Sequence, residues 1–308
     1  MEYHYRGDIS MSYRALFARN LIDYKNKFYG PDGALNPSDP ALKADWHVLA
    51  EGDSWFHFNK LRPQENLLMQ LEFARSTVVC NLALSGDNVA QMINPKIPGL
   101  FNKSRAKTYK SALELRRWDM ILLSACGNDL IDAFVGGYDV GKDKKVKLIK
   151  SCENPKDFKD FLNMEDLEVA IKSISQSFAH MIKLIRESGK GKNEKTKIIV
   201  HTYDYFTLRD APKGDKTRRQ KALEKHGVPK TYWKQISGLM NDRLAALLLS
   251  FNNPSKYPNL HVINTMDTLT PADQDEPGNT RHWRNEIHPN ADGYRMIAKE
   301  RVNQHLFL

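Results

Sequence analysis

The sequence contains little cysteine and no long apolar run. Its three cysteines, Cys80, Cys126 and Cys152, are odd in number and widely spaced, which fits reduced, mostly buried thiols better than a disulfide framework or a zinc site. The longest apolar stretch, Leu244 to Phe251, is far shorter than the ~20 residues of a membrane span. Together with a mean hydropathy of −0.57, this predicts a soluble protein.

Targeting and cofactor motifs are also missing. Arg14 and Arg19 interrupt the N-terminal residues, which therefore lack the apolar core of a secretory signal peptide, and we expect a cytoplasmic location. No HExxH, paired CxxC, GxGxxG or Walker loop occurs in the sequence. Nothing in the sequence therefore predicts a metal or nucleotide cofactor.

Basic residues outnumber acidic ones. The 46 Lys and Arg against 37 Asp and Glu give a formal net charge of +9. The isoelectric point near 9.2 indicates either an anionic partner, such as nucleic acid, phospholipid headgroups or an acidic substrate, or only a charged surface that aids solubility. Apolar residues at 41% and charged residues at 27% are close to globular averages, which excludes wholesale disorder.

Short apolar, β-branched runs alternate with helical patterns. Because several runs are apolar throughout, they are typical of parallel strands covered on both faces. The alternation predicts an α/β fold, with a doubly wound parallel sheet between helices. The five predicted strands are Trp46–Ala50, Thr77–Leu84, Met120–Ala125, Lys197–Tyr203 and Leu260–Ile263.

Three helices are predicted from apolar periodicity. The clearest runs from Glu165 to Glu187, with Asn163 as a candidate N-cap and Gly189 as its stop. A second carries an apolar stripe between Ile236 and Phe251, and a third begins after His288-Pro289-Asn290.

Three regions stand apart from this alternation. Residues 1–45 are polar, end in the turn-rich stretch GPDGALNPSDP, and predict an N-terminal extension ahead of a main domain at 46–308. Residues 135–164 and 206–234 are too long for ordinary α/β connections, and the second holds nine Lys and Arg against three Asp and Glu. These two insertions are interpreted as a lid or substrate platform, or equally as solvated decoration.

Four short segments carry polar residues at predicted strand ends or before the last helix. They are Gly52-Asp53-Ser54, Ser85-Gly86-Asp87, Gly127-Asn128-Asp129 and His288-Pro289. Each alone is weak evidence for chemistry. A serine after a strand is usually an N-cap, the glycine an ordinary turn residue and a lone histidine structural.

In combination and order, the four segments resemble the SGNH (GDSL-type) hydrolase superfamily across roughly residues 46–303. The resemblance implies a flavodoxin-like, three-layer α/β/α sandwich with about five parallel strands, and metal-free hydrolysis of carboxylic esters. It implies that Ser54 is the nucleophile and His288 the general base. The Ser54 N–H, the Gly86 N–H and the Asn128 amide would form the oxyanion hole.

One position departs from the family pattern. Asn285 stands where the family usually has an aspartate three residues before the histidine. Three interpretations remain open. Asn285 orients His288 through its carbonyl oxygen without supplying charge, a nearby carboxylate (Glu286, Asp273 or Asp275) substitutes, or Ser54 and His288 act as a dyad. The first and third are favoured, because Glu286 is one position out of phase.

Neighbouring residues are assigned supporting roles. Asp53 and Asp129 are expected to brace the site through hydrogen bonds, and Cys126 to lie in the core. His57 is not expected to act as the base. Packing beneath the serine turn is predicted for Trp55, Phe56 and Phe58.

Two functions follow from these observations. The leading hypothesis is an esterase or lipase-like serine hydrolase acting on a small-molecule or lipid ester. The alternative is a weakly active or inactive protein of the same fold that binds anionic lipid or nucleic acid through its basic surface, with 206–234 as the contact region.

Overall fold

The computed structural model describes residues 3–5, 11–18, 20–28, 43–57, 65–94, 105–139, 145–209 and 217–307. The strands are β1 (Tyr3–Tyr5), β2 (Met11–Arg14), β3 (Leu16–Ala18), β4 (Trp46–Gly52), β5 (Glu72–Phe73), β6 (Thr77–Asn81), β7 (Met120–Ser124), β8 (Tyr138–Asp139), β9 (Lys145–Val146), β10 (Lys197–His201) and β11 (Leu260–Ile263). The helices are α1 (Leu21–Phe28), α2 (Val89–Ile93), α3 (Arg105–Leu115), α4 (Gly127–Phe134), α5 (Met164–Gly191), α6 (Arg218–Lys225), α7 (Lys230–Leu249) and α8 (Ala291–Ile297). Short 3₁₀ segments cover Leu68–Gln70, Phe158–Phe161 and Asn303–His305, and a π-helical turn covers Ala298–Val302.

The central sheet is parallel and has six strands in the order β11-β10-β7-β4-β6-β3. All five strands predicted from apolar runs are in it. Taken alone, in chain order, they have the flavodoxin-like arrangement 2-1-3-4-5. Every residue of β6 and β7 is buried, as expected of strands covered on both faces. The predicted three-layer α/β/α sandwich is confirmed.

The predicted helices follow the expected signals. The Asn163 side chain accepts the Asp166 N–H at 3.3 Å and caps α5. The backbone leaves helical geometry at Ser188 to Lys190, with φ +61° at Gly189, so the stop lies where the sequence predicts it. At the other end of the chain, the Asn290 side chain accepts the Gly293 N–H at 3.0 Å and caps α8.

The N-terminal residues take part in the main sheet. β3 pairs in parallel with β6 and adds the sixth, edge strand. β1, β2 and β5 form a separate antiparallel sheet. The division into an extension at 1–45 and a main domain remains a prediction, although Leu16–Ala18 belong to the central sheet.

The two predicted insertions contain regular structure. The first holds the antiparallel β8–β9 pair and a 3₁₀ turn, and the second holds α6 and the start of α7. Their proposed role as lid, platform or decoration remains a prediction. Within the described residues, no helix has both the length and the apolar composition needed to cross a bilayer.

The topology fixes where side chains gather. The chain reverses its strand order between β4 and β7, which lie side by side at the centre of the sheet. Ligands in this class of fold bind at the carboxyl ends of the strands at such a switch point. The segments containing Ser54 and Asn128 both follow strands that end there.

Candidate active site

The serine turn is held tightly against the end of β7. A Cβ at Gly52 would lie 2.5 Å from the Ser124 carbonyl oxygen, so only glycine allows this approach. The following residue, Asp53, is buried and accepts the Trp55 N–H at 3.0 Å, the Ser124 hydroxyl at 2.8 Å and the Tyr203 hydroxyl at 2.5 Å. Burial raises the pKa of Asp53 to about 6, and the hydrogen bonds oppose that rise. Asp53 therefore braces the turn from below.

Ser54 and His288 meet although they are far apart in the chain. The distance from Ser54 Oγ to His288 Nε2 is 2.7 Å. A second bond fixes the two segments together, because the Trp55 indole N–H donates to the Ile287 carbonyl at 3.1 Å. Residues next to the serine and next to the histidine are thus joined directly, which sets the spacing of the hydroxyl and the imidazole.

Asn285 lies at the other ring nitrogen of His288. Its Nδ2 is 3.1 Å from His288 Nδ1. Its Oδ1 accepts two backbone N–H groups, from Ile287 at 3.1 Å and from His288 at 2.9 Å. Because Oδ1 is occupied by backbone donors, the amide nitrogen and not the carbonyl oxygen faces the ring, and the orienting role of Asn285 stays a prediction.

None of the three candidate carboxylates occupies that position. Glu286 has a fully buried side chain and accepts from the Thr217 hydroxyl at 2.9 Å and from the Arg219 guanidinium at 3.0 Å. Asp273 pairs with Arg281, and Asp275 is exposed. The Glu286 interactions tie the start of α6 to the loop that carries His288.

The protonated, positively charged form of His288 is disfavoured by its surroundings. Burial lowers the pKa of His288 to about 4, and the positive charges of Arg219 and Arg284 lower it as well. No carboxylate is among the causes that act on the ring. The resting imidazole at neutral pH is therefore uncharged.

Hydrogen bonds join the turn that carries Gly86 to the end of β4 and to Asn128. Gly86 has φ +87°, and its turn is fixed beside β4 because the Leu84 N–H donates to the Gly52 carbonyl at 2.9 Å. The Asn128 amide donates one N–H to the Asp87 carbonyl at 3.0 Å. A primary amide has two N–H groups, and among the described residues only one of the two from Asn128 has an acceptor.

Asp129 supports the same region from within the core. Its buried carboxylate accepts the Val89 N–H at 3.1 Å, which fixes the residues that follow the Gly86 turn. Burial raises the pKa of Asp129 to about 7. Asp129, like Asp53, therefore holds a loop of the site in place.

A small cavity opens beside Ser54. It has a volume of about 40 Å³ and includes Ser54 and Asn128 in its lining. Its walls are mainly apolar and come from α4, α7 and the start of the second insertion. The apolar lining residues are Trp55, Leu130, Ile131, Phe206, Leu244 and Ile287.

A family model described as GDSL-like lipase/acylhydrolase matches residues 59–300, most of the chain. The chain belongs to the GDSL-like lipase/acylhydrolase family. This family membership supports an esterase or lipase-like hydrolase that acts on esters. The matched range begins at residue 59 and does not include Ser54, so the assignment of that serine rests on the distances above.

The solved structures to which this GDSL-family chain is similar have low sequence identity to it. An extracellular lipase from Streptomyces rimosus is 11% identical, with a TM-score of 0.46 and coverage of 82% of this chain and 98% of that one. Lipase Lip_vut3 from a goat rumen metagenome is 17% identical, with a TM-score of 0.45 and coverage of 82% and 94%. A carbohydrate esterase family 3 protein from Talaromyces cellulolyticus is 12% identical, with a TM-score of 0.42 and coverage of 85% and 96%. No curated protein sequence matches the chain.

Some residues of the site have no signal in the sequence. Tyr203 donates to Asp53 and lies against Gly127, where a Cβ would approach its ring to 2.7 Å. Arg219 reaches the site from the second insertion. Both come from segments without a recognisable motif, so only the folded chain reveals them.

The remaining predicted neighbours lie as follows. Trp55 is buried and stacks on His201 with ring centroids 5.3 Å apart, and Phe56 is buried beside the same ring. His57 Nδ1 is 2.9 Å from Ser85 Oγ. Cys126 is buried with φ +79°, and burial raises the pKa of its thiol. Phe58 lies outside the described residues.

In the described ranges, no cluster of three or more His, Cys, Asp and Glu residues could hold a metal ion.

Proposed function

We propose that the protein is a serine ester hydrolase in which Ser54 is the nucleophile and His288 the general base. The observation that carries the proposal is the 2.7 Å distance from Ser54 Oγ to His288 Nε2 at the carboxyl edge of the sheet. Ser54 Oγ attacks the ester carbonyl carbon, its proton passes to His288 Nε2, and the C=O electron pair moves to oxygen. Collapse of this intermediate expels the alcohol, which takes the proton from His288. Water then releases the acid by the same steps.

The oxyanion would be stabilised by uncharged donors. The Ser54 N–H, the Gly86 N–H and the second N–H of Asn128 are the groups proposed to surround it. Asn128 suits this role because its other N–H is fixed on the Asp87 carbonyl, which orients the amide before substrate arrives. Removing one such donor typically costs about 10²–10³ in rate.

The acyl group is proposed to enter the small apolar cavity beside Ser54. A water molecule needs about 10–15 Å³ in the same measure, so the volume of about 40 Å³ suits a short acyl chain better than a fatty acid. Phe206 and Leu244 are among the apolar residues that line it. We therefore propose a short-chain acyl ester as the preferred substrate.

The test compares two serine substitutions with a chromogenic acetyl ester. Ser54→Ala removes the nucleophile and is expected to abolish turnover. Ser151→Ala is the matched control, because Ser151 is exposed and contacts only His226 among the hydrogen bonds of the described residues. Equal turnover by Ser54→Ala and wild type would refute the proposal.

A second candidate function has support in a basic cavity. The cavity has a volume of about 460 Å³ and lies between the end of α4, the β9 region and α6. Its lining includes Lys147, Arg218, Lys221 and Lys225. Arg218, Lys221 and Lys225 are three or four residues apart on α6, a spacing at which like charges repel each other and destabilise the helix. A bound anion would reduce this repulsion.

The local field supports an anionic ligand there. His226 also lines the cavity; burial lowers its pKa, and the charges of Lys225 and Lys147 lower it further. In the part of the chain that is described, Lys147, Arg218, Lys221 and Lys225 form no ion pair within 4 Å. We propose as the alternative function that a phosphate-bearing lipid headgroup binds here, in a protein that is weakly active or inactive as a hydrolase.

Vesicle binding tests the alternative. Wild type is expected to bind phosphatidylglycerol vesicles in low salt and not phosphatidylcholine vesicles. The double variant Lys221→Gln, Lys225→Gln would weaken binding about 30-fold, at roughly 1 kcal/mol for each lysine. Lys110→Gln is the control, because Lys110 is paired with Glu114 on α3. Equal binding to both vesicles would refute the alternative, and binding only to single-stranded DNA would assign the surface to nucleic acid instead.

A further inference from the structure

The orientation of the Asn285 amide is fixed by its own loop. The Ile287 N–H and the His288 N–H converge on Asn285 Oδ1, at 3.1 and 2.9 Å. An amide NH₂ cannot take the place of that oxygen, because it has donors and no acceptor. The NH₂ group must therefore point away from the backbone donors, toward the imidazole of His288.

The amide in turn fixes the protons on the ring. Asn285 Nδ2 is 3.1 Å from His288 Nδ1, and a donor at this distance requires a lone pair on Nδ1. A neutral imidazole carries one N–H, so the proton must be on Nε2. Nε2 is 2.7 Å from Ser54 Oγ, which becomes the acceptor of that bond.

We propose that Asn285 is a positioning residue that holds resting His288 in its Nε2–H tautomer, so that the ring donates to Ser54 Oγ instead of accepting its proton. The consequence for catalysis rests on the proposed function. The tautomer itself does not.

An aspartate at position 285 would avoid this conflict. One carboxylate oxygen would accept the two backbone N–H groups and the other would accept an Nδ1–H, leaving Nε2 free to act as a base. With asparagine, His288 can carry its proton on Nδ1 and act as a base only if the side-chain amide of Asn285 rotates by about 180°. Oδ1 would then face Nδ1–H, but the NH₂ group would face the N–H groups of Ile287 and His288, and both of their bonds would be lost.

The general base of the proposed hydrolase, His288, therefore rests in the tautomer that cannot accept the Ser54 proton. The Nδ1–H tautomer is a minor state, and each proton transfer from Ser54 must wait for it. A low intrinsic turnover, set by residue 285 and not by the nucleophile, is the expected property of the wild-type protein.

Nitrogen NMR of the histidine rings tests the tautomer directly on the full chain. The His288 signals are identified by their loss in His288→Gln. Two other histidines provide internal references. His282 Nδ1 accepts the Thr270 N–H at 2.9 Å and must be protonated at Nε2, whereas His201 Nδ1 is 2.7 Å from the Thr202 carbonyl and must be protonated at Nδ1.

At neutral pH, wild-type His288 is expected to show the pattern of His282, with the proton on Nε2. In Asn285→Asp the pattern should change to that of His201. A wild-type His288 protonated at Nδ1 would overturn the inference, and this measurement decides even if Asn285→Asp fails to fold.

The outcome is separable from the proposed function. If His288 carries the Nε2 proton and neither wild type nor Asn285→Asp hydrolyses any ester, the inference stands and the function fails. If His288 carries the Nδ1 proton and turnover depends on Ser54, the function stands and the inference fails.

Discussion

Replacing Asn285 by aspartate is expected to accelerate ester hydrolysis. In wild type, the base form of His288 costs the two backbone hydrogen bonds to Asn285 Oδ1 and the bond from Nδ2 to the ring. The new bond from Nδ1–H to Oδ1 replaces the one from Nδ2, so two bonds are lost in total; at about 1 kcal/mol for each, the penalty is about 2 kcal/mol, or a factor of roughly 30 in rate. An aspartate also stabilises the imidazolium, and the full difference between the two residues in a serine triad reaches about 10⁴. We therefore expect kcat/KM to rise by a factor between about 30 and about 10⁴.

The assay is the hydrolysis of a chromogenic acetyl ester across a pH series. The carboxylate at position 285 should also raise the pKa of His288, so the acid limb of the profile moves to higher pH in the variant. Asn163→Asp is the matched control, because Asn163 caps α5 through its side-chain oxygen, which an aspartate retains. The control is expected to keep the wild-type rate and profile.

Two results would refute this reasoning. An unchanged or lower kcat/KM in a folded Asn285→Asp variant would show that the amide does not hold back the base. A gain of the same size in Asn163→Asp would show that added negative charge alone is responsible.

Three further predictions follow from the same structure. Since the pKa of His288 is lowered to about 4, wild-type kcat/KM should keep its neutral-pH value down to about pH 5, and a midpoint near 6.5 in a pH series would contradict this. Glu286→Gln leaves Arg219 without its buried partner and should lower the free energy of unfolding by about 3 kcal/mol in urea titration. Glu168→Gln, which alters an exposed pair, should lower it by less than about 1 kcal/mol, and equal losses would contradict the argument. Acetyl and butyryl esters should be hydrolysed with higher kcat/KM than decanoyl esters, and Leu130→Ala should narrow that difference by enlarging the cavity.

Much of the fold could be predicted because it depends on local patterns. Apolar runs predicted five of the six strands of the central sheet. Asn163 and Asn290, which cap helices through their side chains, predicted the starts of two helices. β3 could not be found in this way. Leu16–Ala18 is too short to form a pattern, and its pairing with β6 joins residues that are about 60 positions apart in the sequence.

The site also contains some features that the sequence predicts and others that it does not. Ser54 and Asn128 follow neighbouring strands, so topology alone predicts that they share an edge. The orientation of Asn285 depends on two backbone N–H groups within one tight loop, and residue types do not encode that detail. The contacts of Tyr203 and Arg219 depend on where long connections return to the sheet, which no local pattern specifies.

The central claim is that the Ser54 hydroxyl forms a covalent bond with the acyl group. Treating the protein with a fluorophosphonate and locating the adduct by peptide mass spectrometry measures this directly. We expect one adduct, on Ser54, formed faster in Asn285→Asp and not formed in Ser54→Ala. An adduct on any other residue, or none in the folded Asn285→Asp variant, would contradict the account.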